Sequence, residues 1–326
     1  MQQYRDTNYA AVSAALHARE AHLLTQALSE RMLEAPTAEE SCKILIECGY
    51  PPLEHCTLEE VEKLLALSRA ELYREVAVLA PDKRIVELFQ LKYDYHNAKL
   101  ALKAKLTGED VSRLVIDCGR YDASALLRGE RGMLSSRMGR AMAQAEKEAE
   151  GGDIRRAELT LDRACFEEMS ELAGATGNDF LIGYVALQID AIDLRTLVRA
   201  QRMGASDELL SAALLPGGHI PAEQLKTARG DRLAELTRGS ALAGAGELAA
   251  AALNGSGSLT AFERACDDAL VRYLQRARRT PFGPEVIVGY LSAKEAEFTA
   301  VRTILSGKLA GLDAEDIRAR LRLSYL

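Results

Sequence analysis

The chain has 326 residues, 48% of them hydrophobic and 5% aromatic, with no tryptophan and a formal charge of −7. That length can bury a large interior and allows two or three domains, while the acidic balance argues against nucleic-acid binding through a broad basic surface, leaving only a local patch open. Ala, Leu, Glu and Arg dominate, strong helix formers with few β-branched or aromatic runs, so an all-α protein is expected.

In chain order, apolar residues recur at helical spacing from Tyr9 to Leu33 (Val12, Leu16, Leu23, Ala27), predicting one amphipathic helix that Pro36 ends. Thr37-x-x-Glu40 and Thr57-x-x-Glu60 read as capping boxes opening the next two helices, with a turn at Gly49-Tyr50-Pro51-Pro52 between them. Pro81 ends the second of these, and a long helix from about Lys83 to Lys105 should stop at Gly108. Loops are expected at Cys118-Gly119-Arg120-Tyr121-Asp122 and at Leu215-Pro216-Gly217-Gly218-His219, and a helix-to-helix turn at Gly151-Gly152-Asp153. Asn254 to Ser258 is the most flexible-looking stretch, before a capping box at Thr260-x-x-Glu263. No segment alternates as a strand would. The most apolar tract, Ala241 to Leu253, is interrupted by Glu247 and falls short of the roughly 20 apolar residues of a spanning helix.

One pattern recurs three times: a carboxylate, a base five residues on and a glycine nine residues after the base. The triplets are Asp94, Lys99, Gly108; Asp190, Arg195, Gly204; and Glu297, Arg302, Gly311. Six residues past each glycine an aliphatic returns, as Leu114, Leu210 and Ile317. The glycines lie 96 and 107 residues apart, too far for a stacked solenoid, whose repeats run roughly 20 to 50 residues. Three related helical subdomains are expected instead, over 1–119, 120–217 and 218–326. A closed pseudo-threefold body of this kind suggests a socket or collar more readily than an enzyme with one cleft. Residues five apart on a helix differ by roughly 140° in azimuth, so acid and base of a triplet do not pair with each other. Lys99 with Lys103, and Arg195 with Arg199, crowd like charges at i,i+4, and each base either reaches a carboxylate on a neighbouring helix or lies on a solvated face.

Candidate chemistry is sparse. Asp190-x-x-Asp193 could hold magnesium for diphosphate chemistry, but no second acidic cluster or aromatic lining accompanies it. Gly244-x-Gly-x-x-Ala249 matches a dinucleotide fingerprint without the strand that should precede it. Cys42, Cys48, His55 and Cys56 fit no common zinc spacing. Six dispersed cysteines without a secretory signal are expected as reduced thiols. No nucleophile elbow or P-loop is present, so no catalytic site, cofactor or metal is expected.

The block Pro281-Phe282-Gly283-Pro284-Glu285-Val286-Ile287-Val288-Gly289-Tyr290-Leu291-Ser292-Ala293-Lys294-Glu295-Ala296-Glu297 carries a resemblance. It continues through Val301-Arg302-Thr303-Ile304-Leu305-Ser306-Gly307-Lys308-Leu309 to Leu321-Arg322 and Tyr325. With Tyr93 to Lys99, Lys103-Ala104-Lys105, and Asp190 to Arg199 followed by Pro216-Gly217-Gly218, it resembles the C subunit of bacterial and archaeal V/A-type ATPases. That protein is equivalent to the d subunit of the eukaryotic vacuolar proton pump. The resemblance spans essentially the whole chain; one departure is His17-Ala18-Arg19, where the family often has an Arg-x-Arg pair. It implies an all-helical funnel of three similar subdomains with a central cavity, seated on the membrane rotor ring and receiving the lower end of the central shaft (D/F-type subunits). It further implies a non-catalytic central-stalk coupling piece for ATP-linked proton or sodium transport, cytoplasmic and peripheral on the membrane. Two readings from other classes stand beside it: a helical scaffold or adaptor, and a carboxylate–metal enzyme built on Asp190 and Asp193.

Overall fold

A computed structural model describes residues 5–325. Among them there is no strand. The helices are α1 Ala10–Glu20, α2 Gln26–Glu34, α3 Ala38–Ile44, α4 Leu58–Leu79, α5 Lys83–Thr107, α6 Ala123–Leu127, α7 Ser136–Glu150 and α8 Ile154–Thr176. They continue with α9 Asp179–Met203, α10 Asp207–Ala213, α11 Ala222–Thr227, α12 Arg232–Thr237, α13 Ala243–Leu253, α14 Leu259–Leu274, α15 Pro284–Leu309 and α16 Ala314–Arg320. The chain divides into two compact units, Met1–Lys83 with Val271–Leu326, and Arg84–Leu270.

The first unit is built around α15, which is buried along most of its length, with Val286, Ile287, Leu291, Phe298, Val301, Ile304 and Leu305 in the core. It packs on α1, α2, α3, α4 and α16. Gly289 and Gly307 are glycines because neighbours press on the helix there. A Cβ on Gly289 would stand 2.5 Å from the Tyr325 hydroxyl, and one on Gly307 2.7 Å from Ile317. Lys308 donates to the carbonyls of Leu33 and Ala35 (2.8 and 2.6 Å), satisfying acceptors that the end of α2 leaves open. Much of the C-terminal signature block is therefore packing grammar.

The helix expected over Tyr9 to Leu33 is broken. Thr25 caps α2 by accepting the Leu28 N–H (3.2 Å), and the Leu24 N–H leaves the helical ladder for Glu297 (2.7 Å). A tertiary bond outcompetes the local period. Thr37 and Thr57 cap α3 and α4 as expected, accepting from Glu40 and Glu60 N–H groups. The reciprocal half of the second box is absent, because Glu60 turns to the His55 N–H (3.0 Å). Thr260 lies inside α14, whose start is bonded by Ser258 instead (3.4 Å from Ala261 N), and Glu263 is occupied by Arg199. Cys42 and Cys56 are joined as a disulfide (Cα–Cα 6.7 Å), against the expectation of six reduced thiols. Cys48, Cys118, Cys165 and Cys266 are free and buried, and burial raises Cys48 to about 11 and Cys165 and Cys266 to about 12.

In the second unit α7 and α8 form a hairpin through Gly151-Gly152-Asp153, and α9 packs on α8, α10, α11 and α13. The alanine-rich tract is the buried helix α13, pressed on α12: a Cβ on Gly246 would meet Thr237 Oγ1 at 1.8 Å. Close helix packing accounts for Gly246 of the apparent dinucleotide motif, whereas Gly244 is exposed with nothing near it, and a helix rather than a strand precedes the pair. No described helix is long and apolar enough to cross a membrane.

Candidate functional site

Each of the three triplets sits on one of the three longest helices, α5, α9 and α15. Each glycine lies just past its helix in the left-handed region (φ 70°, 63° and 72° for Gly108, Gly204 and Gly311), where a side chain is strained. The stretch after Gly108 differs from the other two. It makes only a 3₁₀ turn over Ser112–Leu114, in place of the seven-residue α10 and α16. Val111 is buried there, and Leu114 is exposed while Leu210 and Ile317 are buried.

The acids share one task. Asp94 is fully buried and accepts from the backbone of Arg120 (2.9 Å) and Tyr121 (3.3 Å), just before the N-cap Asp122 of α6. Asp190, also fully buried, accepts from the backbone of His219 (3.1 Å) and Ile220 (2.9 Å), just before the N-cap Pro221 of α11. Glu297 accepts from Leu24 N, just before the N-cap Thr25 of α2. In all three the long helix clasps the residue that precedes the N-cap of a short helix. Gly119 and Gly218 admit this approach: a Cβ on them would lie 2.1 and 2.3 Å from Asp94 Oδ1 and Asp190 Oδ1.

A further side-chain partner completes each clasp, and it differs each time. Arg120 Nε donates to Asp94 (2.7 Å) and its NH1 to Glu168 (3.0 Å), which also receives the Tyr95 hydroxyl (2.8 Å). Burial pushes the Asp94 carboxyl up, and the Arg120 guanidinium and the two backbone donors draw it back. His219 Nδ1 lies 3.0 Å from Asp190. Lys294 (2.5 Å) and the Tyr50 hydroxyl (2.5 Å) both donate to Glu297, and burial beside Glu297 pushes the Tyr50 phenol far up, keeping it a donor. The boundaries expected at 119/120 and 217/218 fall inside the first two clasped loops.

Each base pairs with an acid on a different helix: Lys99 with Asp162 of α8 (2.5 Å), Arg195 with Asp267 of α14 (2.8 Å), and Arg302 with Glu62 of α4. The long helix is thus tied at one level to a loop and at another to a helix. Lys99 and Asp162 are 31% and 46% exposed, so solvent screens them and the pair contributes less than about 1 kcal/mol. Lys99→Ala is expected to lower the melting temperature by about 1–3 °C in a thermal scan; an unchanged value would assign the lysine to solvent.

The pair Asp190 and Asp193 does not face an open cleft. Asp190 is consumed by the clasp, and Asp193, 1% exposed, accepts from Leu215 N (2.9 Å). No group of three or more His, Cys, Asp or Glu side chains able to hold a metal exists among the described residues. The last turn of each long helix exposes an apolar residue that sequence reasoning passed over, Leu106, Met203 or Leu309. Their common signal, an aliphatic or methionine one to two residues before the repeat glycine, lies in the letters.

The family described as ATP synthase (C/AC39) subunit matches residues 12–320, nearly the whole chain. The chain belongs to that family. It is 23% identical over 324 residues to the V-type sodium ATPase C subunit of Enterococcus hirae, covering 97% of this chain and 99% of that one. It is 26% identical to the V-type ATP synthase C subunit of Thermus thermophilus, covering 93% and 94%, and 26% identical to the A-type ATP synthase C subunit of Methanocaldococcus jannaschii, covering 96% and 86%. Within this family the three clasps give physical roles to residues of the resembling blocks. Asp94 and Asn97 bind loop backbone, Lys99 ties α5 to α8, and Glu297, with Lys294 donating to it, closes on the segment before α2.

Proposed function

We propose that the protein is a non-catalytic central-stalk subunit of a rotary V/A-type ATPase, a socket that couples the rotating shaft to the membrane rotor ring. Membership of the ATP synthase (C/AC39) subunit family and near-full-length likeness to the C subunits of such complexes support the reading. The observation that carries the mechanical part is the threefold recurrence of one clasp. A coupling piece must pass torque without deforming, and a long helix pinned to both a loop and a neighbouring helix resists twisting of its lobe. Close-packed helices give the body low compressibility. In this reading the repeats form three lobes around a central opening, and α2 to α4 with α15 and α16 make one of them.

With no described helix able to span a bilayer, contact with the membrane is indirect, through the ring, on the cytoplasmic face. The apolar ends of the long helices, Leu106, Met203 and Leu309, offer a repeated contact for a partner, because exposed apolar groups release water when covered. The purified chain, mixed separately with shaft and with ring, is expected to co-elute with each and to crosslink to both in the assembled complex. Failure to bind either would end the coupling role. Binding that persists after these three apolar residues are made polar would reject only the proposed contact.

A further inference from the structure

The first two clasps differ three residues past the acid. Asn97 occupies that position on α5, where its Oδ1 accepts from Ile116 N (3.1 Å) and its Nδ2 donates to Ile116 O (2.8 Å). Asp193 occupies it on α9 and accepts from Leu215 N alone. Ile116 and Leu215 correspond, since each lies four to five residues before the loop residues held by Asp94 or Asp190. An amide both donates and accepts; an ionised carboxylate only accepts; a protonated carboxyl regains the donor. The second clasp also puts two buried acids one turn apart, and Asp190 has a half-exposed histidine where Asp94 has Arg120. That histidine carries charge only when protonated.

We propose that the segment Leu214–Ile220 is a proton-operated clasp, closed when Asp193 is neutral and loosened when it ionises, whereas Asn97 holds the equivalent segment before α6 permanently closed. The geometry is supported by the carboxyl's surroundings. Burial, opposed by the Leu215 N–H, pushes Asp193 up to about 7; Asp190 adds to the rise and Arg163 opposes it. Arg163 reaches over from α8 but spends its NH2 on the carbonyls of Ala212 and Leu214 (3.1 and 2.8 Å). On the other helices packed against α9, Asp207 pairs with Arg229 and Glu223 with Lys226, while Glu208 and Glu247 are exposed. A carboxyl raised in the closed state binds its proton more tightly there than in the open loop. Closure is therefore favoured below the ordinary carboxylate range and weakens as pH rises through about 7.

Hydrogen exchange of the full chain at pH 6 and pH 8, corrected for the intrinsic rate, tests this. The Leu215 amide, held by Asp193, is expected to lose protection about tenfold between the two, the change that one linked proton gives, while Ile116, held by Asn97, keeps its own. Asp193→Asn should make the second clasp as indifferent to pH as the first, and Asn97→Asp should carry the dependence to Ile116. Equal changes in both loops, or a dependence surviving in Asp193→Asn, would overturn the proposal. If Asp193→Asn fails to fold, His219→Gln decides: the dependence at Leu215 should survive it, and its loss would assign the effect to the histidine and overturn the proposal. The result does not depend on what the protein binds.

Discussion

Replacing Glu297 by alanine is expected to cost about 3–5 kcal/mol of stability, because removing one member of a buried charge pair strands the others. Leu24 N–H and the Tyr50 hydroxyl would lose their acceptor, and Lys294, 14% exposed, its countercharge. The residue joins α15 to the segment before α2 across 273 positions of sequence. The loss should therefore appear as earlier unfolding of the first unit and rapid exchange of the Leu24 amide. Glu297→Gln keeps an acceptor and gives up the charge, so about 1–2 kcal/mol is expected. Urea denaturation followed by helical circular dichroism measures both; a loss under about 1 kcal/mol for the alanine variant would show that the clasp does not hold the unit together.

Gly119→Ala and Gly218→Ala are the second pair of large effects. The added methyl would meet Asp94 Oδ1 at 2.1 Å or Asp190 Oδ1 at 2.3 Å. Neither carboxylate can swing aside: both are fully buried and bonded to the same loop that the methyl would displace. Overpacking of this kind costs about 2–3 kcal/mol. Each substitution should couple to its acid. Once Asp94 is alanine the clash is gone, and Gly119→Ala should then cost far less than it does alone, a difference a double-mutant cycle reads directly. Additive losses would mean that glycine and acid act independently.

The all-α class was legible because helix formers and caps act locally: Thr37, Thr57 and the glycines at 108, 204 and 311 mark helix ends by chemistry that needs no distant partner. The repeat was legible as spacing, and its acids and bases were identified without knowing what they bind. Their partners were not legible. Arg120, His219 and Leu24 lie at unequal sequence distances from their acids, and the third lies near the opposite end of the chain. Periodicity alone continued the first helix through Leu24, a residue whose N–H a distant glutamate takes. The charge at Asp193 invited a metal reading because a sequence shows two acids on one face but not that both point into a loop. The pairing of Cys42 with Cys56 was missed for a similar reason, since 14 residues of separation say nothing of a 6.7 Å approach.

The coupling role is tested most directly by a covalent tether between this protein and the rotor ring, made through cysteines introduced at their contact, with ATP-driven ion transport as the readout. Two parts that turn together can be bonded without penalty, so transport is predicted to continue at its original rate and to stop only when the same protein is tethered to a stationary part. Transport abolished by the tether to the ring would place this protein outside the rotor and contradict the account.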